Sequence, residues 1–267
     1  MATPRWLTYG GHVDREGAFA CMKAAYDSDV NFFDCAEVYA EGESERVMGE
    51  AIKKFGWKRN DLVIATKLHR RTANSDKKIN NLSYVGLVFA HRPDRRTPME
   101  EAVRAFNHLI NTGKALCWGT SEWSPDEIAQ AWSGHQARYN MLECHKVEHD
   151  FAHLYREHGL GLTAFSSLRQ GILTVKYKNG IPEDPRLAQT KVEFPIAEKL
   201  GVKQSVLTLA WVLANPNVSS AITGASSPEQ IYENIEAIAV YKRLTPGILS
   251  EIDEILNNKP PVVVPRF

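Results

Sequence analysis

The chain has 267 residues, 43% hydrophobic and 24% charged, with 32 Lys+Arg balanced by 32 Asp+Glu. That length can bury a sizeable core and suits one or two domains, although α/β barrels run to about 250 residues as one unit. Zero formal net charge removes the electrostatic argument for nucleic-acid or anionic-membrane binding. No run approaches the roughly 20 apolar residues of a membrane span, and residues 1–20 lack the basic-then-apolar order of a secretory leader. Cys21, Cys35, Cys117 and Cys144 are scattered through otherwise apolar segments. They read as buried thiols in a reducing, cytoplasmic compartment, not as a disulfide framework or metal knuckle.

In chain order, short apolar runs fit for buried strands alternate with segments of helical spacing. A first strand, Trp6–Tyr9, is followed by a helix with Ala18, Phe19, Met22, Ala25 and Tyr26 on one stripe. Strand Val30–Phe33 precedes a second helix striped by Val47, Met48, Ala51, Ile52 and Phe55, and strand Leu62–Thr66 follows. The next connection, Leu68–Leu82, is only 15 residues, polar and without helical periodicity. Strand Val85–Ala90 leads to Thr97-Pro98-Met99-Glu100, which has the form of a capping box, on a helix ended by Gly113. Strand Ala115–Trp118 comes next, then a second capping signal at Ser124-Pro125-Asp126-Glu127, then strand Ala137–Leu142. A helix lined by Val147, Phe151, Leu154 and Tyr155 closes at Gly159, before strand Leu160–Phe165. A helix carrying Val206, Leu209, Ala210 and Leu213 precedes the last strand, Ser220–Thr223. Ser227-Pro228-Glu229-Gln230 and Thr245-Pro246 open two final helices, the second bearing Ile248, Ile252 and Ile255.

End-to-end alternation predicts an α/β fold with a parallel sheet, and eight strands favour a single (β/α)8 TIM barrel over an open sheet. No low-complexity linker divides the chain, so residues 1–267 are expected to form one domain. The lack of an early glycine-rich strand-to-helix turn argues against a doubly wound dinucleotide domain. Two places are expected to leave the barrel incomplete. The first strand has nothing before it to seal the barrel floor, and Leu68–Leu82 is barely long enough for a crossover with its helix.

Active sites of parallel barrels lie at the C-terminal ends of the strands. There the sequence sets Phe33-Asp34 running into Tyr39, Ala65-Thr66-Lys67, and His91-Arg92-Pro93-Asp94. An acid, a phenol, an ammonium and an imidazole thus share one rim. The set suits carbonyl reduction, since hydride delivery leaves an alkoxide that needs a proton, and a phenol acidified by a nearby cation can give it. Lys67 would be that cation, Asp34 its counter-ion, and His91 the group that orients the substrate oxygen. The spacing alone also allows a plain buried Asp34–Lys67 ion pair with Tyr39 as a rim aromatic.

These segments resemble the active-site signatures of the aldo-keto reductases, most closely the branch containing voltage-gated potassium-channel β-subunits and their fungal relatives. The likeness extends through Trp118-Gly119-Thr120-Ser121-Glu122-Trp123, Tyr139-Asn140-Met141-Leu142 and Ile222-Thr223-Gly224-Ala225-Ser226, from about Trp6 to Pro260. It implies a (β/α)8 barrel, NADP(H) as cofactor, a small carbonyl substrate, and a catalytic tetrad at Asp34, Tyr39, Lys67 and His91. It further implies cofactor contacts at Trp6 and Asp34, with Ser121 and Gln136 near the nicotinamide amide. Ser166, Leu168, Lys176 and Arg186 would lie along the pyrophosphate and adenosine, and Gly224, Ser226, Gln230, Glu233 and Asn234 at the adenosine end. Ser226–Gln230 surround a helix N-terminus, a natural anion site.

Departures from the family pattern are the missing N-terminal hairpin, most of the third helix, Phe165-Ser166-Ser167-Leu168 in place of aromatic-Ser-Pro-Leu, Val175 where a Gly is usual, and a shortened segment after Arg186. The resemblance also admits a channel-β-like regulatory partner that senses redox state through its nucleotide, a homo-oligomer, or a degenerate inactive relative. A place in small-molecule or secondary metabolism accords with the reductase reading. Three motifs are set aside. His145-Lys146-Val147-Glu148-His149 has the form of an inverted zinc-peptidase motif, with His153 nearby, but Val147 and Phe151 mark the buried face and no metal is expected. Gly159-Leu160-Gly161-Leu162-Thr163-Ala164 precedes a strand where a dinucleotide loop must follow one. Lys53, Lys54, Lys58 and Arg59 beside Trp57 read as a solvated turn.

Overall fold

The computed structural model describes residues 13–68, 84–174 and 195–261. Among them are seven strands: β1 Phe32–Asp34, β2 Val63–Leu68, β3 Val85–Ala90, β4 Ala115–Ser121, β5 Gly134–Arg138, β6 Leu162–Phe165 and β7 Val218–Ala221. They follow one another in the order β1 to β7, and β1–β2, β2–β3, β3–β4, β4–β5 and β6–β7 pair in parallel. The fold is therefore α/β with parallel strands, as expected. The first expected strand, Trp6–Tyr9, and all of the Leu68–Leu82 connection except Leu68 lie outside the described residues.

The chain clusters into two compact units, one running to Gln136 and including Gly224–Tyr232, the other Ala137–Thr223 with the residues from Glu233 onward. In the first unit, helices α1 (Arg15–Asp27) and α2 (Glu43–Phe55) turn the stripes read from the sequence inward, with Tyr26, Ile52 and Phe55 half-buried. Ala18, Phe19, Met22, Val47, Met48 and Ala51 form one core with Cys35, and Phe33, Tyr39 and Trp57 pack against it. Asp14 caps α1 by accepting from the Gly17 amide at 2.8 Å. Helix α3 (Met99–Asn111) lies against β4, where Phe106 stacks on Trp118 at 5.1 Å. Helix α4 (Pro125–Ala131) starts on a complete capping box between Ser124 and Glu127.

In the second unit a π-turn, Lys146–Asp150, runs into α5 (Ala152–His158), which ends at Gly159 in the left-handed conformation. Helices α6 (Pro195–Leu200), α7 (Gln204–Ala214), α9 (Ala237–Val240) and α10 (Pro246–Leu256) follow, with α8 (Pro228–Ile235) lying mostly in the first unit. Helix α7 packs on β7 and α9 and buries Val206, Leu207, Leu209, Ala210 and Val212. Thr245 caps α10, with Pro246 at its first position, as read from the sequence.

Four expectations are corrected. The fifth strand is Gly134–Arg138, not Ala137–Leu142. It buries His135 and Gln136, which bond to other strands, His135 Nδ1 to Thr120 Oγ1 at 2.8 Å and Gln136 Nε2 to Asp34 Oδ1 at 3.2 Å, so the strand lacks the apolar run that marks its neighbours. Thr97 does not cap α3: Pro98 takes the cap position in an extended conformation, and Thr97 instead donates to Asp94 Oδ2 at 3.1 Å. Cys117 is exposed while Cys21, Cys35 and Cys144 are buried, and all four are free thiols. Tyr155 is only half-buried, the buried face of its helix being Val147, Phe151 and Leu154.

Candidate active site

The first unit gathers the four expected catalytic residues at the C-terminal ends of β1, β2 and β3. Asp34 is the last residue of β1, Lys67 stands one residue before the end of β2, and His91 directly follows β3. Parallel pairing holds the three ends level: Asp34 sits opposite Ala65, Lys67 opposite Phe89, and the His91 amide donates to Leu68 O at 3.0 Å. Tyr39 opens a 3-10 turn through Gly42 in which Ala40, Glu41 and Gly42 all have positive φ. Two of those three residues carry a Cβ, so the turn holds local strain of the kind that collects at functional sites.

Lys67 is buried, its side chain only 2% exposed against 9% for Asp34, which makes this a desolvated ion pair. The Lys67 ammonium donates to Asp34 Oδ2 and, at 2.7 Å, to Cys35 O. The other carboxylate oxygen of Asp34 accepts from Gln136 Nε2 at 3.2 Å. Burial pushes the Asp34 carboxyl up, against the downward pull of Lys67 and of the hydrogen bond from Gln136. Lys67 Nζ also stands over the Tyr39 ring, 5.0 Å from its centroid, within cation–π range. The His91 ring meets that of Tyr39 edge-on, with centroids 6.2 Å apart and planes at 89°. Burial raises the thiol of neighbouring Cys35 to about 12, so it is a protonated, unreactive wall at neutral pH.

Ser121 and Gln136 face each other in register across β4 and β5, and both are buried. Arg92 donates to His91 O at 2.6 Å and reaches Ser121 Oγ at 3.3 Å. Two contacts escaped the sequence reading: Gln136 buttressing Asp34, and Arg92 tying His91 to Ser121. The second had a signal, since Arg92 stands inside the His91-Arg92-Pro93-Asp94 motif. The first had none, because 102 residues separate the partners.

The remaining expected positions fall as follows. In the first unit Gly224, Ser226 and Gln230 are exposed, and the amide and hydroxyl of Ser226 donate to Gln230 Oε1 at 2.8 and 3.2 Å. In the second unit Ser166 follows β6 in a left-handed conformation, and Leu168 heads the next 3-10 turn. Glu233 is already committed, paired with Lys203 at 2.7 Å and accepting from Ser205. Asn234 donates to Thr223 Oγ1 at 2.9 Å. Trp6, Lys176 and Arg186 lie outside the described residues.

The family model described as "Aldo/keto reductase family" matches residues 3–257. A probable voltage-gated potassium channel subunit beta of Arabidopsis thaliana is 41% identical over 302 aligned residues, covering 96% of this chain and 92% of its own. A putative channel subunit beta of Schizosaccharomyces pombe is 43% identical, covering 96% and 89%. The structure of an aldo-keto reductase from Klebsiella pneumoniae in complex with NADPH superposes with a TM-score of 0.77 at 22% identity, covering 98% of this chain and 92% of that one.

Proposed function

The chain belongs to the aldo/keto reductase family, and from that premise we propose that it is a cytoplasmic NADPH-dependent oxidoreductase that reduces a small aldehyde or ketone to the alcohol. The observation that carries the reading is the Lys67 ammonium, held between Asp34 and the Tyr39 ring with His91 at the edge of that ring. A solvent-facing ion pair would need no such enclosure. Residues 1–267 would serve this activity as one (β/α)8 barrel domain.

The donor set fits NADP(H): a buried hydroxyl and a buried carboxamide, Ser121 and Gln136, stand opposite each other in register and match the hydrogen-bonding needs of a nicotinamide amide. The relative solved with NADPH supports the same choice. At the start of α8, the Glu229 carboxyl is held below its usual range by hydrogen bonds from Ser227 and from its own backbone amide. Ser226 and Gln230 would hold the adenosine phosphate there. When bound, NADPH supplies the hydride. The chain's own part is to receive the carbonyl oxygen between Tyr39 and His91, with His91 orienting it. Tyr39 then hands over the phenolic proton, the Lys67 charge favours the phenolate left behind, and Asp34 keeps Lys67 in place.

The names of the plant and fungal relatives favour a second reading, a subunit that binds the nucleotide to regulate a potassium channel. One experiment separates the two. The purified chain is titrated with NADPH by fluorescence and then offered a panel of aldehydes and ketones. The reductase reading expects cofactor quenching and carbonyl-dependent oxidation of NADPH. Tight NADPH binding with no turnover on any member of the panel would overturn it in favour of the channel reading.

A further inference from the structure

We propose that His145, His149 and Asp150 form a surface site for a divalent transition-metal ion of borderline softness, with Zn2+ as its representative. The site lies on the π-turn of the second unit and does not rest on the reductase reading.

On an α-helix, residues i and i+4 share a face, while i+5 stands roughly 140° away. Here the chain closes five residues back instead, the Phe151 amide donating to Lys146 O at 3.1 Å. The widened turn brings both His149 and Asp150 beneath His145. The rings of His145 and His149 lie 4.6 Å apart, and their Nδ1 atoms stand 3.4 and 3.1 Å from the same Asp150 Oδ1. Ligands bound at Zn–N and Zn–O lengths of about 2.0–2.2 Å in a tetrahedron are about 3.3–3.5 Å from one another. The 3.4 Å contact of His145 to Asp150 therefore already has the spacing that a shared metal ion imposes, the 3.1 Å contact of His149 falls just short of it, and one potential ligand atom from each residue falls within 4.8 Å of the others.

The scaffold beneath is fixed. Val147, Phe151 and Leu154 are fully buried, which pins the turn that carries the ligands. Glu148, the acid of the apparent H-x-x-E-H motif, points inward and accepts from Tyr139 OH at 2.6 Å, so it is not part of the set. Lys146 Nζ stands over the Phe151 ring, 5.5 Å from its centroid. The working pattern is His-x-x-x-His-Asp, which the sequence motif obscured by drawing attention to Glu148. Two imidazoles and one carboxylate suit Zn2+, Ni2+ or Cu2+ over Mg2+ or Ca2+, and the open outer side leaves room for water as a further ligand.

The test uses the full chain without a histidine tag, titrated with Zn2+ against a chromophoric chelator. One saturable equivalent is expected, undisturbed by excess Mg2+. His145→Ala and His149→Ala should each weaken binding by roughly ten-fold or more, at least the scale on which loss of an outer-shell partner is felt. Asp150→Asn should weaken it as well, and His108→Ala, on α3, should not. The three ligand side chains are 35–61% exposed, so these variants should keep the wild-type circular dichroism, and Asp150→Asn serves where a histidine variant does not. Absence of saturable Zn2+ binding, or equal binding by the His145→Ala/His149→Ala double variant, would overturn the proposal.

Discussion

At the scale of the residue, the decisive feature is a charge taken out of water. The Lys67–Asp34 pair is almost wholly desolvated, so removing one member leaves the other uncompensated. Lys67→Met should cost about 3–5 kcal/mol of unfolding free energy. Adding Asp34→Asn should recover part of that loss, and denaturant melts of the two single variants and the double close the cycle. A double variant no more stable than Lys67→Met would show that the pair does not act as a unit. The four residues of this cluster were legible in the sequence because each sits at or just beyond an apolar run that ends at the same rim. Gln136 was legible only through the family resemblance, and its contact with Asp34 not at all, since a bond between residues 102 apart leaves no local pattern.

At the scale of the element, capping and close approach decide the outcome. A Cβ on Gly119 would come within 2.8 Å of Gly134 O and 2.9 Å of the Phe89 ring, so the side chain of β3 and the backbone of β5 both meet at this bare position of β4. Gly119→Ala should destabilise by about 1–3 kcal/mol, read from the denaturation midpoint. The Ser124–Glu127 capping box offers a paired test. Ser124→Ala should cost about 1 kcal/mol. The Glu127 carboxyl feels a rise from partial burial, but hydrogen bonds from Ser124 and Arg95 outweigh it and hold it below its usual range. Its contribution is therefore complete above about pH 4.3, the unfolded value, and is lost as pH falls through the lower folded value. Glu127→Gln should flatten stability in that acidic window and leave the neutral-to-alkaline profile unchanged. A wild-type slope persisting in Glu127→Gln would contradict this.

Helix starts at Ser124 and Thr245 could be read from the sequence because cap chemistry is local. Thr97 misled because Pro98, in an extended conformation, takes the cap position itself. The fifth strand was displaced for a related reason. His135 and Gln136 are buried polar residues whose partners lie on other strands, and hydrophobic runs reveal nothing of such pairings.

At the scale of the whole molecule, strand–helix alternation carried the α/β class, since a parallel sheet with helical crossovers is what such alternation can build. The seven described strands follow the expected order, and family membership rests on a match to the family model over residues 3–257. A ligand that binds only the native chain must stabilise it. NADPH at about 100 times its Kd should add about 2.7 kcal/mol and raise the thermal midpoint. A midpoint unmoved by saturating NADPH would argue that no native nucleotide groove exists.

The central claim is that Tyr39, beside the buried Lys67 ammonium, gives the proton in carbonyl reduction. Single-turnover oxidation of pre-bound NADPH by an aldehyde, compared between wild type and Tyr39→Phe, tests it most directly. The expected result is unchanged NADPH fluorescence quenching and a rate lowered by about 10²–10⁴-fold, the usual range for loss of a general acid. A Tyr39→Phe enzyme that oxidises NADPH as fast as wild type would contradict it.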